Sequence, residues 1–301
     1  MGGKAKRFLG ILSNAGIGFE HICLPSPFSV KRWHVTVLID FLCGIEDLPE
    51  HEIVFFLNER IKISELPQKR CAVVTAELPY LENGGGAEAL RPYEEHMREE
   101  KFVGVLESRL KAIRLFWEGN VRLGAYYTYD ARDCEFLSSM THSDVKRLDF
   151  RIPVHSAQKL NQQVSRFAFP VELSYLSLAY EYYERSYHGQ DLAHSYLLLM
   201  IAAEILFNAG HGEISYKICR GVAVLLAESN QDGLDMFNKM KKLYGKRSKL
   251  VHEGKEDGIC HDDVRMLRMC LRHCILKLCA LRFSKKQLED SLKSGGMGDF
   301  S

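Results

Sequence analysis

The chain has 301 residues, 46% of them apolar, and a formal net charge of +1. That length has room for roughly two ordinary domains, and that apolar content excludes a disordered or low-complexity chain. Near-neutrality excludes a globally basic nucleic-acid binder, so any grip on a polyanion has to come from a local patch.

The nine cysteines are an odd number without framework spacing. Cys219, Cys270, Cys274 and Cys279 sit in apolar helical context, as reduced structural thiols do, so a cytoplasmic protein is expected. No secretory signal is legible. The longest apolar run, Tyr196 to Ala203, is far short of the ~20 residues that span a bilayer, so no membrane partner is expected. Met1-Gly2 invites an N-myristoylation reading, but Lys6 stands where Ser or Thr is required.

In chain order, residues 1 to about 155 read as a mixed α/β domain. Strand-like runs rich in Val, Ile, Tyr and Phe occur at His34–Asp40, Glu52–Leu57, Ala72–Ala76, Val121–Tyr129 and Asp149–Val154. A helix is predicted where Phe102, Leu106, Leu110, Ile113 and Trp117 share one face, with Gly119 just past its end. Asn83-Gly-Gly-Gly86 reads as a loop; it is followed by Ala and Glu, so it is no phosphate-binding loop. Gly16-Ile-Gly18 lacks the third glycine of a dinucleotide fingerprint and reads as a turn. Tyr126, Tyr127 and Tyr129 read as half core and half strand surface.

Gln158–Arg166 reads as a polar helical bridge, and Phe169-Pro170 as the entrance to an all-α half spanning about 165–285. Five amphipathic helices are predicted there. The first carries Leu173, Leu176, Tyr180 and Tyr183. The second, about Leu192 to Asn208, carries Leu197, Ile201 and Ile205. The third carries Ile214, Ile218, Val222 and Leu225. The fourth carries Phe237, Met240, Tyr244 and Val251 and ends at Gly254. The fifth carries Val264, Leu267, Leu271, Cys274 and Leu278 behind Asp262-Asp263. Residues 286–301 read as a flexible tail. The fold class expected is α+β overall, a mixed domain followed by a helical bundle.

The fourth helix carries the chemistry. Its apolar stripe passes through Arg247, and a guanidinium there must be paired or face a ligand. His252 stands five residues on, a residue type that takes and gives protons near neutrality. Lys239, Lys241, Lys242, Lys246 and Lys249 surround the pair. Of these, Lys242, Lys246 and Lys249, with Ser248, are candidate phosphate contacts. Glu204, on the edge of the second helix's stripe, is the candidate partner that holds the Arg247 rotamer. Five helical positions separate Arg247 and His252 by about 140°, so one phosphate meets both only if the helix loosens toward Gly254 or two copies contribute. Arg268 and His273 repeat the spacing without a terminating Gly or a basic flank and read as a solvated face. Cys260, His261, His273 and Cys274 lack zinc-ligand spacing, so no metal is expected.

The string Tyr244-Gly-Lys-Arg-Ser-Lys-Leu-Val-His252 resembles the signature of HEPN domains, in particular the Apea-like branch of bacterial anti-phage proteins. Ala202-Ala-Glu204-Ile-Leu and Glu213-Ile-Ser-Tyr216-Lys-Ile-Cys-Arg220-Gly-Val-Ala223-Val-Leu-Leu226 resemble that branch in the same order. Ala112-Ile-Arg-Leu-Phe116-Trp-Glu-Gly119 is similar to a segment upstream of such domains in some relatives. The resemblance implies a dimerising helical bundle and a metal-independent endoribonuclease of defence or toxin type, without cofactor. Arg247 and His252 would be the catalytic pair and Glu204 the acidic position. It departs from the pattern at Ser248, where many active members carry Asn, Asp or His, and at Glu253, where Gly is frequent. The first domain would then sense a ligand or protein trigger, or restrain the nuclease. The rival expectation is a non-catalytic dimerisation or nucleic-acid-binding module in which Arg247 only holds the bundle together.

Overall fold

The computed structural model describes residues 6–46, 48–78, 91–130, 137–140, 150–167, 171–189, 191–208, 212–256, 258–296 and 299. The Asn83–Gly86 run, Asp149 and Phe169-Pro170 lie outside the described residues. The chain is mixed α+β and divides into two compact units, Met1–Phe167 and Ala168–Ser301.

The first unit is built on a five-stranded antiparallel sheet of order β2-β3-β1-β4-β5. The strands are β1 (Lys6–Ser13), β2 (Ser29–His34), β3 (Arg70–Leu78), β4 (Arg122–Asp130) and β5 (Leu137–Met140). The helices are α1 (Val35–Glu46), α2 (Glu50–Ile61), α3 (Arg91–Phe116) and α4 (Val154–Ser165). Side chains alternate across β1. Phe8 and Leu12 join a core with Leu106, Leu110 and Ile113 of α3 and Leu160 of α4. Leu9 and Ile11 join a second core with Leu38 and Leu42 of α1 and Ile53 and Leu57 of α2. Helices thus cover both faces, which is why the central strands read as continuous apolar runs rather than alternating ones.

Several strand expectations are corrected here. His34–Asp40 is not a strand: α1 starts at Val35, and Val35, Leu38, Ile39 and Leu42 are buried at helical spacing. Glu52–Leu57 lies in α2, which follows Pro49, carries Glu50 and Glu52 in its first turn, and buries Ile53, Leu57 and Ile61. Packing against the sheet overrides the β-branched composition of both. Phe150 makes only an isolated parallel bridge to Ala15, and Val154 opens α4. Ala72–Ala76 and most of Val121–Tyr129 are strand as expected. Tyr126 and Tyr127 are both core residues, on opposite faces of a sheet covered on both.

The helix predicted on Phe102–Trp117 is α3. α4 is no bridge. Ala157, Leu160 and Val164 are buried, Arg109 Nη1 donates to Val164 O at 2.6 Å, and Asn161 Nδ2 donates to His21 O at 2.9 Å. The first unit therefore runs to Phe167 rather than to residue 155.

The second unit holds α5 (Ser174–Arg185), α6 (Leu192–Phe207), α7 (Ile214–Leu226), α8 (Asn230–Glu253), α9 (His261–Leu281) and α10 (Lys285–Ser294). The apolar stripe expected for α9 is buried, and those of α5 and α7 are buried except at their first residues, Leu173 and Ile214, which are half-buried. α6 departs from a striped pattern: it packs on α5, α7, α8 and α9 and is buried around most of its circumference. Leu197, Ile201 and Ile205 form its less buried edge, not its core face. α7 comes close because Gly221 has no Cβ, which would collide with the Phe207 ring.

The expected tail is also corrected, because residues 285–294 are helical. Ser284 and Gln287 form a capping box at the start of α10, Leu288 is fully buried, and Arg220 Nη2 donates to Gly295 O at 2.8 Å. Lys285 Nζ donates to Ile205 O and Leu206 O at 2.8 and 2.7 Å, satisfying carbonyls that the end of α6 leaves open. Leu288→Ala should therefore destabilise the chain by about 2–5 kcal/mol in urea denaturation, as for a core leucine. A frayed tail would leave the midpoint unchanged.

Candidate functional site

α8 starts at Ser229, whose side chain accepts from Asp232 N, and ends where Gly254 takes a left-handed φ of 64° and donates to Leu250 O at 3.1 Å. Its buried seam is Gly233, Met240, Leu243 and Leu250. Arg247 falls on this seam, between Leu243 and Leu250. Val251, expected on the stripe, is 49% exposed and lies off it.

The half-buried Arg247 is answered from α6. Its Nη2 lies 2.9 Å from Glu204 Oε1, and each side chain is 23% exposed. The guanidinium carbon lies 5.7 Å from the centre of the Tyr244 ring. Burial pushes the Tyr244 hydroxyl up, with Arg247 opposing the shift. The guanidinium N–H is not aimed along the line to Glu204, so the contact is Coulombic rather than an in-line hydrogen bond. Glu204 Oε1 and, one turn on, Asn208 Oδ1 are thus buried acceptor oxygens without an aligned donor.

His252 is exposed and lies within α8, which stays helical through Glu253. The helix does not loosen ahead of Gly254, so in one chain Arg247 and His252 remain turned about 140° apart. The sequence-predicted trio is therefore brought together only in part: Glu204 and Arg247 meet, and His252 faces solvent.

The cations around the motif are not equivalent. Lys246 is bound by both oxygens of Asp263, at 2.8 and 2.7 Å, so its expected role as a phosphate contact is corrected to a brace between α8 and α9. Lys242 and Lys249 are exposed and make no ion pair among the described residues, and Ser248 is half-buried. Arg268 is not a solvated-face residue either. It lies 4.3 Å over the Tyr187 ring and donates to Ser186 O at 3.1 Å, while His273 is exposed. Cys274 is buried in the core, and Cys260 Sγ contacts Asp263 at the start of α9.

Asn208, which the sequence marks only as the end of the second helix, is the C-cap of α6 one turn beyond Glu204 and carries a second buried acceptor oxygen. No protein-family model, curated protein or solved structure matches this chain.

The Asp263 carboxyl is raised by burial, but the Lys246 bond and the Cys260 backbone more than offset this, leaving it below its ordinary 3.8. A carboxyl depressed on folding contributes stability above its unfolded value and loses it as pH falls through the folded one. Asp263→Asn should cost about 1 kcal/mol at pH 7. In urea titrations that cost should shrink as the pH is lowered past 3.8. A cost independent of pH would show that the pair is not the cause.

Proposed function

We propose that the second unit is a HEPN-like bundle and a metal-independent endoribonuclease that acts as a homodimer. The observation that carries this reading is Arg247, held on a packing seam by Glu204 and Tyr244 yet still partly open to solvent. Glu204 neutralises the guanidinium without taking an in-line hydrogen bond from it, which leaves N–H donors for a phosphate. Exposed His252 lies on the next turn and a half of the same helix, with unpaired Lys242 and Lys249 nearby. The resemblance of Tyr244–His252 to the HEPN signature points the same way.

In this reading the ribose 2′-hydroxyl attacks the adjacent phosphorus. The 2′-O–P bond forms, the P–O5′ bond breaks, and a 2′,3′-cyclic phosphate and a free 5′-hydroxyl result. His252 takes the 2′-hydroxyl proton, and His252 of a second copy gives one to the leaving 5′-oxygen. Arg247 offers its planar fork to the phosphoryl oxygens as charge develops there. Glu204 holds the Arg247 rotamer, and Ser248, Lys242 and Lys249 contact flanking phosphates. The 140° separation within one helix is what demands the second copy: a two-fold dimer brings both Arg247–His252 segments to one cleft. A role in bacterial defence, as a toxin released by a trigger, rests on the resemblance alone.

One observation favours the rival, a non-catalytic dimerisation or RNA-binding scaffold: the ion pair to Glu204 already accounts for Arg247. Labelled RNA incubated with the purified chain in EDTA separates the two. Cleavage to cyclic-phosphate ends, reduced at least about 100-fold in folded His252→Ala and Arg247→Ala variants, is the expected result. A dimer in light scattering at micromolar concentration should accompany it. RNA binding without cleavage, equal in all three proteins, together with no toxicity on overexpression, supports the scaffold and overturns the nuclease.

A further inference from the structure

The first unit contains a cavity of about 340 Å³ at one end of its sheet, lined by residues including Asn14, Ile17, Arg32, Glu65, Arg70 and Arg151. This is within the size range of small-molecule sites. From its lining we infer that it is a binding site for a nucleoside monophosphate or a ligand of the same chemistry: a phosphate head, hydroxyls and a flat ring. This inference stands apart from the ribonuclease reading, which uses none of these residues.

Three guanidinium groups converge on the cavity from three separated parts of the chain. Arg32 on β2 pairs with Ala72 across the β2–β3 ladder, so Arg70, two residues before Ala72, shares a sheet face with Arg32. Arg151 is delivered by a short segment whose backbone is held on both sides. Phe150 N donates to Asn14 O at 2.8 Å, Ile152 N to Ile17 O at 3.1 Å, and Trp117 Nε1 to Arg151 O at 2.8 Å. The Asn14–Gly18 turn lies flat on this segment because a Cβ at Gly16 or Gly18 would collide with its carbonyls. Gly16, which belongs to no dinucleotide fingerprint, therefore forms part of a wall of this cavity.

Arg32 is fixed before any ligand arrives. Its Nε donates to Glu20 Oε2 at 3.2 Å and one Nη2 N–H to Gly16 O, and its remaining N–H donors have no acceptor among the described residues. Arg70 is exposed and makes no ion pair among the described residues. Glu20 offsets only Arg32, and a bound dianion with several oxygens can take bidentate bonds from the guanidinium groups that line the cavity. Ile17, 65% exposed, and Ile61 and Leu66 supply an apolar wall for a ring. Asn14 and Gln68, both lining residues, hold left-handed backbone at φ 56° and 54°, a strain that clusters at ligand clamps.

Calorimetric titration of the full chain with AMP, GMP, CMP and UMP tests this. Saturable one-to-one binding of at least one is expected, weakened roughly tenfold or more by Arg70→Gln and by Arg151→Gln. These variants spare Arg32, whose loss would disturb the turn, and the ligand-free unfolding midpoint of Arg70→Gln should match wild type. Four results would overturn the proposal: no saturable binding of any monophosphate, binding unchanged in both variants, the free nucleoside binding as tightly as its monophosphate, or inorganic phosphate binding as tightly as the nucleotide.

Discussion

A permanent charge on a packing seam is the constraint around which the second unit is arranged. Arg247 lies on the α8 seam between the buried Leu243 and Leu250, where a lone guanidinium would be prohibitive. The partner has to come from another helix, and it comes from Glu204 near the end of α6. Whatever fixes that end fixes the site. Tyr196 ties α6 to the Leu243 carbonyl, Gly221 lets α7 approach Phe207, and Lys285 caps the last α6 carbonyls from the start of α10. A helix some 40 residues downstream of the motif therefore helps set the geometry of Glu204.

Cations of one chemical type play different parts here, and their neighbours decide which. Arg268 is held by a tyrosine ring and a backbone carbonyl, and Lys246 by both oxygens of the Asp263 carboxylate, so each is tied to a neighbour inside the bundle. Arg247 meets a carboxylate off-line and keeps part of its surface open. Arg32 is braced by Glu20 and by a backbone oxygen with N–H groups left over. Preorganised donors of this last kind bind without a further ordering cost, which separates a receptive arginine from a merely exposed one.

The helical half was largely legible because amphipathic periodicity is a local signal. The stripes of α5, α7 and α9, the stop at Gly254 and the acidic start of α9 all follow from residues within a few turns of each other. The mixed half was less so. β1 contains Gly10 and reads as no strand, while the Val- and Ile-rich starts of α1 and α2 read as strands and are helices. Burial on two sides erases the alternation by which a strand is told from a helix. α10 was read as tail because one buried leucine in a polar decapeptide carries little periodicity.

By itself the sequence determined five of the helices of the second unit, the stop at Gly254, the acidic start of α9, and the presence of Arg247 and His252 near one helix end, since each depends on neighbours in the chain. The edge of the second helix's stripe already named Glu204 as the partner of Arg247, and the fold brings them together. Only tertiary structure decided the other meetings: Asp263 removes Lys246 from the candidate site, and three arginines from β2, β3 and the segment before α4 surround one cavity. Coulombic pairing acts through space and leaves no period or spacing in the chain, so no local pattern could have announced these.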